Sequence, residues 1–390
     1  MGMTARFHKS WADFGGLKPY PALEYETSLM IAHGARCSVG DQLHPRGVPD
    51  HAAYELIGKA YARVEEREPW LRDATAVTQI GLVQLPKEIP SFGSSKETDD
   101  GAVRMLTQMK HQFDVVSEAT ELERYELLIL PDALQPSPAL VKRLGEYLRK
   151  GGKVLATGTS GLSVDGAELL LPELGIRPLG MSPYSVTYLR FGNEVKADVP
   201  STDHVMYERG VRATGSPGTR VLARVVEPYF ERAWNHFCSH RQTPGDRVSR
   251  FAAATLNGRS AHIAFPIFRA YALHGNYPYR LLVRNILGML LPEPLVRIDA
   301  PTGVEVSVMK QGKRTITHLL YYSAERRAKD LDLIEDIVPL HDLPLSVKLV
   351  RQPARAYLAP DMTPVPLVYR DGYAHVTVPE LRGHAMVVLE

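Results

Sequence analysis

Residues 1–75 spell two strand–helix units and no more. The stretch "RFHKSW" from Arg6 reads as a short strand. After the Gly15–Gly16 turn, Pro21 suits the first turn of a helix running to about His33, and Gly34 suits its left-handed end. "ARCSVGDQL" reads as a second, buried strand broken at "HPRGVP". From Asp50, a capping residue type, a second helix carries Ala53, Leu56, Ile57, Ala60, Tyr61 and Val64 on one face and ends at Pro69. A parallel strand pair with one crossover leaves its sheet edges open and its faces bare. Such a segment has to lean on something else, in this chain or in another.

A fuller alternation starts at Ala76. "AVTQIGLVQLP" reads as an apolar strand, and "ETDDGAVRMLTQMKHQF" as a helix with acidic residues in its first turn. "DVVSEA" and "YELLILPDA" are strands, "SPALVKRLGEYLRKGG" is a helix opened by Pro138 and closed by Gly151, and "KVLATGTSG" is a further strand. Strands alternating with helices at this spacing predict a doubly wound parallel sheet. After a less regular stretch, "GRSAHIAFPIFRAYALHGNYPYRLLVRNILGMLL" supplies a strand, a loop and a closing helix, which ends the segment near Leu291. "PEP" at Pro292–Pro294 would be a linker. Beyond it, short alternating strands and turn signals at Gln311–Gly312 and Asp371–Gly372 predict a small antiparallel sandwich.

Composition narrows the function classes. With 46 basic against 44 acidic residues the formal net charge is +2, which gives no electrostatic case for nucleic acid or a membrane surface. The two cysteines, Cys37 and Cys238, form no CxxC pair, and the polar start "MGMTARFHKSWADFGG" is unlike a signal peptide; a reduced, cytoplasmic protein is expected. "LLVRNILGMLL" is too short and too charged to span a bilayer. "GTSG" and "GGK" match neither GxGxxG nor a P-loop, which sets phosphate and dinucleotide sites aside.

The order of these parts resembles one known arrangement. "SWADFGG", its helix and "ARCSVGDQLHPRG" through "AAYELIGKAYARVEEREPW" are similar to the closing region of the (β/α)8 barrels of α-L-fucosidase-like glycoside hydrolases. "YELLILPDA", "GGKVLATGTSG" and "FPIFRAYALHGNYPYRLLVRNIL" resemble the β-galactosidase trimerisation domain, a glutamine-amidotransferase-like (flavodoxin-like) fold. The terminal sandwich matches the usual third domain. The resemblance implies three segments: 1–75, the last two β-α units of a glycosidase barrel; 76–291, the trimerisation domain; and 292–390, the β-sandwich. It implies hydrolysis of a terminal glycosidic bond on a carbohydrate substrate, and a homo-oligomer, with a trimer the natural guess. It also implies about six barrel strands upstream, among them the one bearing the nucleophile. These residues alone are therefore expected to be inactive, and a separate chain could carry the rest of the barrel. The rival expectation is a non-catalytic assembly or carbohydrate-binding protein.

Glycoside hydrolysis uses two carboxyl groups, and barrel active sites lie at the C-terminal ends of strands. On this reading Asp13 and Asp41 are the candidate carboxylates, Trp11 could stack on a sugar face, and His8, Gln42 and His44 could bind hydroxyls. The plainer reading makes "GDQLHPRG" a polar loop with Asp41 pairing Arg46 or capping a turn. Glu24 and Glu26 sit inside a helix, where a salt-bridged face is the simpler reading. In "YFERAWNHFCSHRQTP", Trp234 and His236 are candidates for reaching a barrel site, their own subunit's or a neighbour's. His236, Cys238 and His240 alternate, yet H-x-C-x-H is no standard zinc spacing, and no metal site is expected. The elbow Thr157-Gly158-Thr159-Ser160 has no thiol where active amidotransferases carry one, so the middle segment is expected to be a scaffold.

Overall fold

The computed structural model describes residues 1–84 and 96–390. The chain divides into two compact units, one of residues 1–78, 110–112 and 294–390, the other of residues 79–109 and 113–293.

The first unit opens with β1 (Gly2–Ala5), α1 (Tyr20–Ala32), β2 (Cys37–Gly40) and α2 (His51–Glu65). β1 and β2 pair in parallel, from Gly2 opposite Cys37 to Ala5 opposite Gly40. The expected strand "RFHKSW" is therefore a loop, and the strand is the "GMTA" before it. Pairing stops because β2 ends at Gly40: the Arg6 N–H still reaches the Gly40 carbonyl, but the Arg6 carbonyl accepts from Lys18 as the chain folds back. β2 is shorter than expected and half-buried. α1 starts after Pro19, with Pro21 in its first turn, and stops where Gly34 turns left-handed at φ +74°.

α2 stops at Glu65 rather than at Pro69, and a 3₁₀ turn over Glu68–Trp70 takes its place. Residues before a proline resist α geometry. At its start the Asp50 carboxylate accepts from the Ala52 and Ala53 N–H groups at 3.1 and 3.3 Å. Asp50→Ala should cost about 1 kcal/mol, read as a lower urea midpoint with unchanged slope; no change would show the cap to be idle.

The sandwich has a six-stranded sheet, in which Gly383–Leu389, Arg314–Tyr321 and Glu305–Gln311 are central, and a four-stranded sheet centred on Leu340–Lys348 and Tyr373–Leu381. Val308, Leu319, Leu345, Val347, Val376 and Val387 fill the space between them. The tight turn expected at Asp371–Gly372 has both residues at positive φ, 51° and 77°, as a two-residue hairpin requires. The other face of the six-stranded sheet is also covered. Trp70 packs there on Ile316, Met386 and Val388, while Ala32 packs near Leu320 and Tyr322. Tyr25 donates to Glu305 and Ser307 donates to the Ala32 carbonyl. The front segment thus leans on the sandwich of its own chain.

The strand expected over residues 76–86 splits. Thr75–Ala76 pairs with Lys310 and Met309 in the sandwich, Ile80–Val83 belongs to the second unit, and residues 85 and 86 lie outside the described residues. In the second unit five strands run parallel in the order Phe113–Val116, Ile80–Val83, Leu127–Leu130, Lys153–Thr157, Ser260–Ile263. α3 (Lys96–Gln108), α4 (Pro138–Arg149), α5 (Ile267–His274) and α6 (Tyr277–Leu290) flank them in the chain. Ser137 caps α4 by accepting from Leu140 N–H, with Pro138 next to it. Four antiparallel strands, Gly245–Asn257, Arg220–Pro228, Thr187–Phe191 and His204–Met206, extend the same sheet to nine. The stretch that read as irregular is this extension. Where Arg220–Pro228 pairs with Gly245–Asn257, bulges break the alternation by which strands are recognised in sequence.

Candidate functional site

In the first unit, loops 6–19 and 41–50 leave the C-terminal ends of β1 and β2. They line a cleft of 390 Å³ that includes Arg6, Phe14, Asp41, Gln42, His44 and Arg46. Arg6 is 2% exposed, and its Nε donates to Asp41 Oδ1 at 2.8 Å. The same oxygen accepts from the Gln42 N–H at 2.8 Å. The guanidinium also reaches the Gly16 carbonyl at 3.3 Å and lies 4.2 Å from the Phe7 ring centroid. Asp41 is thus paired with Arg6 across the two strand ends, whereas the plainer sequence reading had it pairing Arg46 or capping a turn. Arg6 was missed, because it stood inside the expected strand and its partner lies 35 positions on.

Trp11 and Gln42 come together, with the indole N–H donating to Gln42 Oε1 at 3.2 Å. The indole packs edge-on to Phe7 at 5.4 Å and remains 54% exposed. His44 sits edge-on to Phe14 at 5.8 Å, and its Nδ1 accepts from the Arg46 N–H. Asp13 accepts from the Lys9 N–H at 3.3 Å and abuts Gly16. His8 does not join them. It lines a separate depression of 220 Å³ with Lys18, Tyr25 and Glu26. The helical glutamates are structural: Glu26 pairs with Lys18 at 2.7 Å, and buried Glu24 accepts from Tyr322 at 3.2 Å.

In the second unit, Trp234 and His236 lie on the loop between the strands Arg220–Pro228 and Gly245–Asn257. Ala233 and His236 exchange backbone hydrogen bonds of 2.9 and 3.1 Å, which puts Trp234 at the tip, 94% exposed. His236 stacks on Phe230 at 3.9 Å, and Arg232 ties the loop by donating to the His240 and Arg241 carbonyls. The segment His236–His240 is not a strand, so its alternation does not put three side chains on one face. Among the described residues no cluster of three or more metal-ligating side chains occurs.

The elbow after Lys153–Thr157 is built around Asp132. The Thr157 hydroxyl donates to Asp132 Oδ1 at 2.8 Å and accepts from the Asp132 N–H at 2.7 Å. Arg269 N–H, Phe268 N–H and the Thr98 hydroxyl complete the shell at 2.7, 3.3 and 3.0 Å. Burial pushes the carboxyl up to about 6 against the pull of these donors. Ser160 is fully buried, and its Oγ accepts from the Leu134 N–H. The fold brings His262 close, which the sequence did not suggest, but its Nε2 is bound to the Gly158 carbonyl at 3.0 Å and burial lowers the ring to about 4. The ring therefore donates to a carbonyl rather than serving Ser160 as a base. Among the described residues no helix is long and apolar enough to cross a membrane.

Comparison with known proteins follows these parts. A family profile described as the β-galactosidase trimerisation domain matches residues 103–173. No curated protein matches the sequence. The structure of α-L-fucosidase isoenzyme 2 from Paenibacillus thiaminolyticus superposes with a TM-score of 0.94 at 37% identity, covering 100% of this chain and 60% of that one. A β-galactosidase from Bacillus circulans sp. alkalophilus gives a TM-score of 0.67 at 13% identity over 100% of this chain and 55% of its own. One from Rahnella sp. R3 gives 0.62 at 14% identity over 97% and 52%; at these identities the fold alone is shared. The chain spans 60% of the fucosidase's length and little over half of the galactosidases'. Along its whole length it is similar to glycoside hydrolases, and over residues 103–173, nearly all of them in its second unit, it matches the β-galactosidase trimerisation domain.

Proposed function

We propose that these residues form the downstream part of a glycoside hydrolase that cleaves a terminal glycosidic bond, of α-L-fucosidase or β-galactosidase kind. The observation that carries this reading is the full-length likeness to the fucosidase. Residues 1–75 supply the last two β-α units of a barrel, 76–291 an amidotransferase-like scaffold and 292–390 a sandwich. The parallel order in the second unit, 2-1-3-4-5 when its five strands are numbered along the chain, is that of flavodoxin-like sheets and supports the scaffold reading. So do the committed hydroxyls of the elbow. The scaffold builds a homo-oligomer, with a trimer the first choice, in the cytoplasm. Asp13 and Asp41 are the candidate carboxylates, with Trp11, Gln42 and His44 as candidate sugar contacts and His8 a further candidate from its separate depression; Trp234 and His236, on the second unit's loop, are candidates for a barrel site, their own subunit's or a neighbour's. No cofactor takes part.

The reaction needs barrel strands beyond these residues, on the same chain or on a separate one. The test is release of p-nitrophenol from α-L-fucoside and β-D-galactoside substrates. The 390 residues would be assayed alone and with a fragment carrying the part of the Paenibacillus enzyme that this chain does not cover. Hydrolysis by the pair only is the expected result. If Asp13 or Asp41 is catalytic, its change to asparagine lowers that rate by about 100-fold or more. Activity of the 390 residues alone would overturn their dependence on further strands. Sugar binding without hydrolysis in either sample would favour the second reading, a carbohydrate-binding assembly module, for which the exposed Trp11 and Trp234 speak.

A further inference from the structure

We infer that Gly40 is a positioning residue, whose missing side chain is the seat that holds Trp11 as a flat platform for a pyranose ring. The inference rests on the sugar-contact reading of Trp11 and adds the residue that sets its geometry. A Cβ built on Gly40 would lie 2.6 Å from one indole ring carbon and 3.0 Å from the next, well inside contact distance. The indole therefore lies directly on the backbone of the last residue of β2. The other supports are an edge-on Phe7 ring and the Gln42 amide oxygen that accepts from the indole N–H. Three fixed supports leave a tryptophan that is still 54% exposed with little freedom of its own. Aromatic platforms bind well when their orientation is set before the ligand arrives, because less side-chain entropy is lost on binding.

The backbone at Gly40 is not left-handed, so alanine is sterically allowed there, and the group it displaces is the end of a half-exposed side chain. The Cβ would also come within 3.3 Å of the Thr4 carbonyl oxygen on β1, a contact that a shift of a few tenths of an ångström relieves, so Gly40→Ala should fold and displace chiefly Trp11. The experiment uses the whole chain labelled with 5-fluorotryptophan, whose three tryptophans give three ¹⁹F lines, the Trp11 line being assigned with Trp11→Phe. In Gly40→Ala the Trp11 line should move while those of Trp70 and Trp234 stay. Titration with methyl α-L-fucopyranoside and methyl β-D-galactopyranoside should shift the wild-type Trp11 line, with at least about tenfold weaker response in the variant, the size expected for loss of one good contact. An unmoved Trp11 line in Gly40→Ala overturns the seat itself. A moved line with sugar response equal in both proteins, or absent from both, leaves the seat intact but overturns the platform, and with it the sugar contact assigned to Trp11.

Discussion

Asp132→Ala should lower the unfolding free energy of the second unit by about 3–5 kcal/mol, because it takes the acceptor from several buried donors at once. The size follows from what the carboxylate joins. It receives the first N–H groups of α5 through Phe268 and Arg269, the Thr98 hydroxyl of α3, and the Thr157 hydroxyl at the end of a central strand. Alanine would leave the Phe268 and Arg269 N–H groups and the Thr157 hydroxyl without this acceptor, at about 1–3 kcal/mol for each donor stranded. Water cannot easily replace it, because the site is closed: a Cβ on Gly101 of α3 would sit 1.9 Å from the Phe268 carbonyl oxygen. Asp132→Asn keeps the shape but turns an NH₂ towards donors, and should fall between wild type and alanine. Urea unfolding of the whole chain, with hydrogen exchange at Leu127–Leu130 and Lys153–Thr157 reporting on this unit, measures both. A loss below about 1 kcal/mol for the alanine variant would show that Asp132 is not the hub of the elbow.

How much of this was legible beforehand differs by element. α4 was readable because its signals are local: Ser137 as cap, Pro138 beside it and Gly151 beyond its end. β1 was not, because "GMTA" lacks any strand signature and becomes a strand only through its pairing with β2. Two of the antiparallel strands of the second unit, Arg220–Pro228 and Gly245–Asn257, were missed for a related reason, since bulges such as that between Val221 and Ala223 break their alternation, while His204–Met206 is too short to show any. In the candidate site, the segments were found because polar residues after a strand are a local signal. Their partners were not. Arg6 reaches Asp41 across 35 positions and His262 reaches Gly158 across 104, and nothing in the intervening sequence encodes either distance. The Trp11–Gly40 contact is subtler again, as it depends on a side chain that is absent.

Acid should weaken the first unit well before the second. At its centre, on the face of the six-stranded sheet covered by the helices, His318 Nδ1 meets His384 Nε2 at 3.0 Å. The outer nitrogens, His318 Nε2 and His384 Nδ1, are buried with no hydrogen-bond partner among the described residues. Burial is the main force holding both rings neutral, lowering His318 to about 3 and His384 well below its ordinary value. Positive charge pushes the same way, from His33 and Arg67 on His318 and from His318, Arg67 and Arg63 on His384. The unfolded rings bind protons near pH 6.5, so the unfolded state holds more protons between there and about 3, and stability falls as pH falls through that window. From pH 7 to 5, His318 alone accounts for about 2 kcal/mol, and His384 adds in the same direction. In the second unit His262 acts likewise, but Asp132 opposes it. Its raised pKa means that the folded state keeps a proton the unfolded state has lost, a contribution absent above about 6 that grows as pH falls towards 3.8. By pH 5 this returns about 1 kcal/mol of what His262 removes. Hydrogen exchange of the whole chain at pH 7 and 5, corrected for intrinsic rates, should therefore show Arg314–Tyr321 and Gly383–Leu389 losing more protection than Leu127–Leu130. Replacing both sheet histidines by leucine should remove most of the difference, and equal acid sensitivity of the two units would refute the assignment.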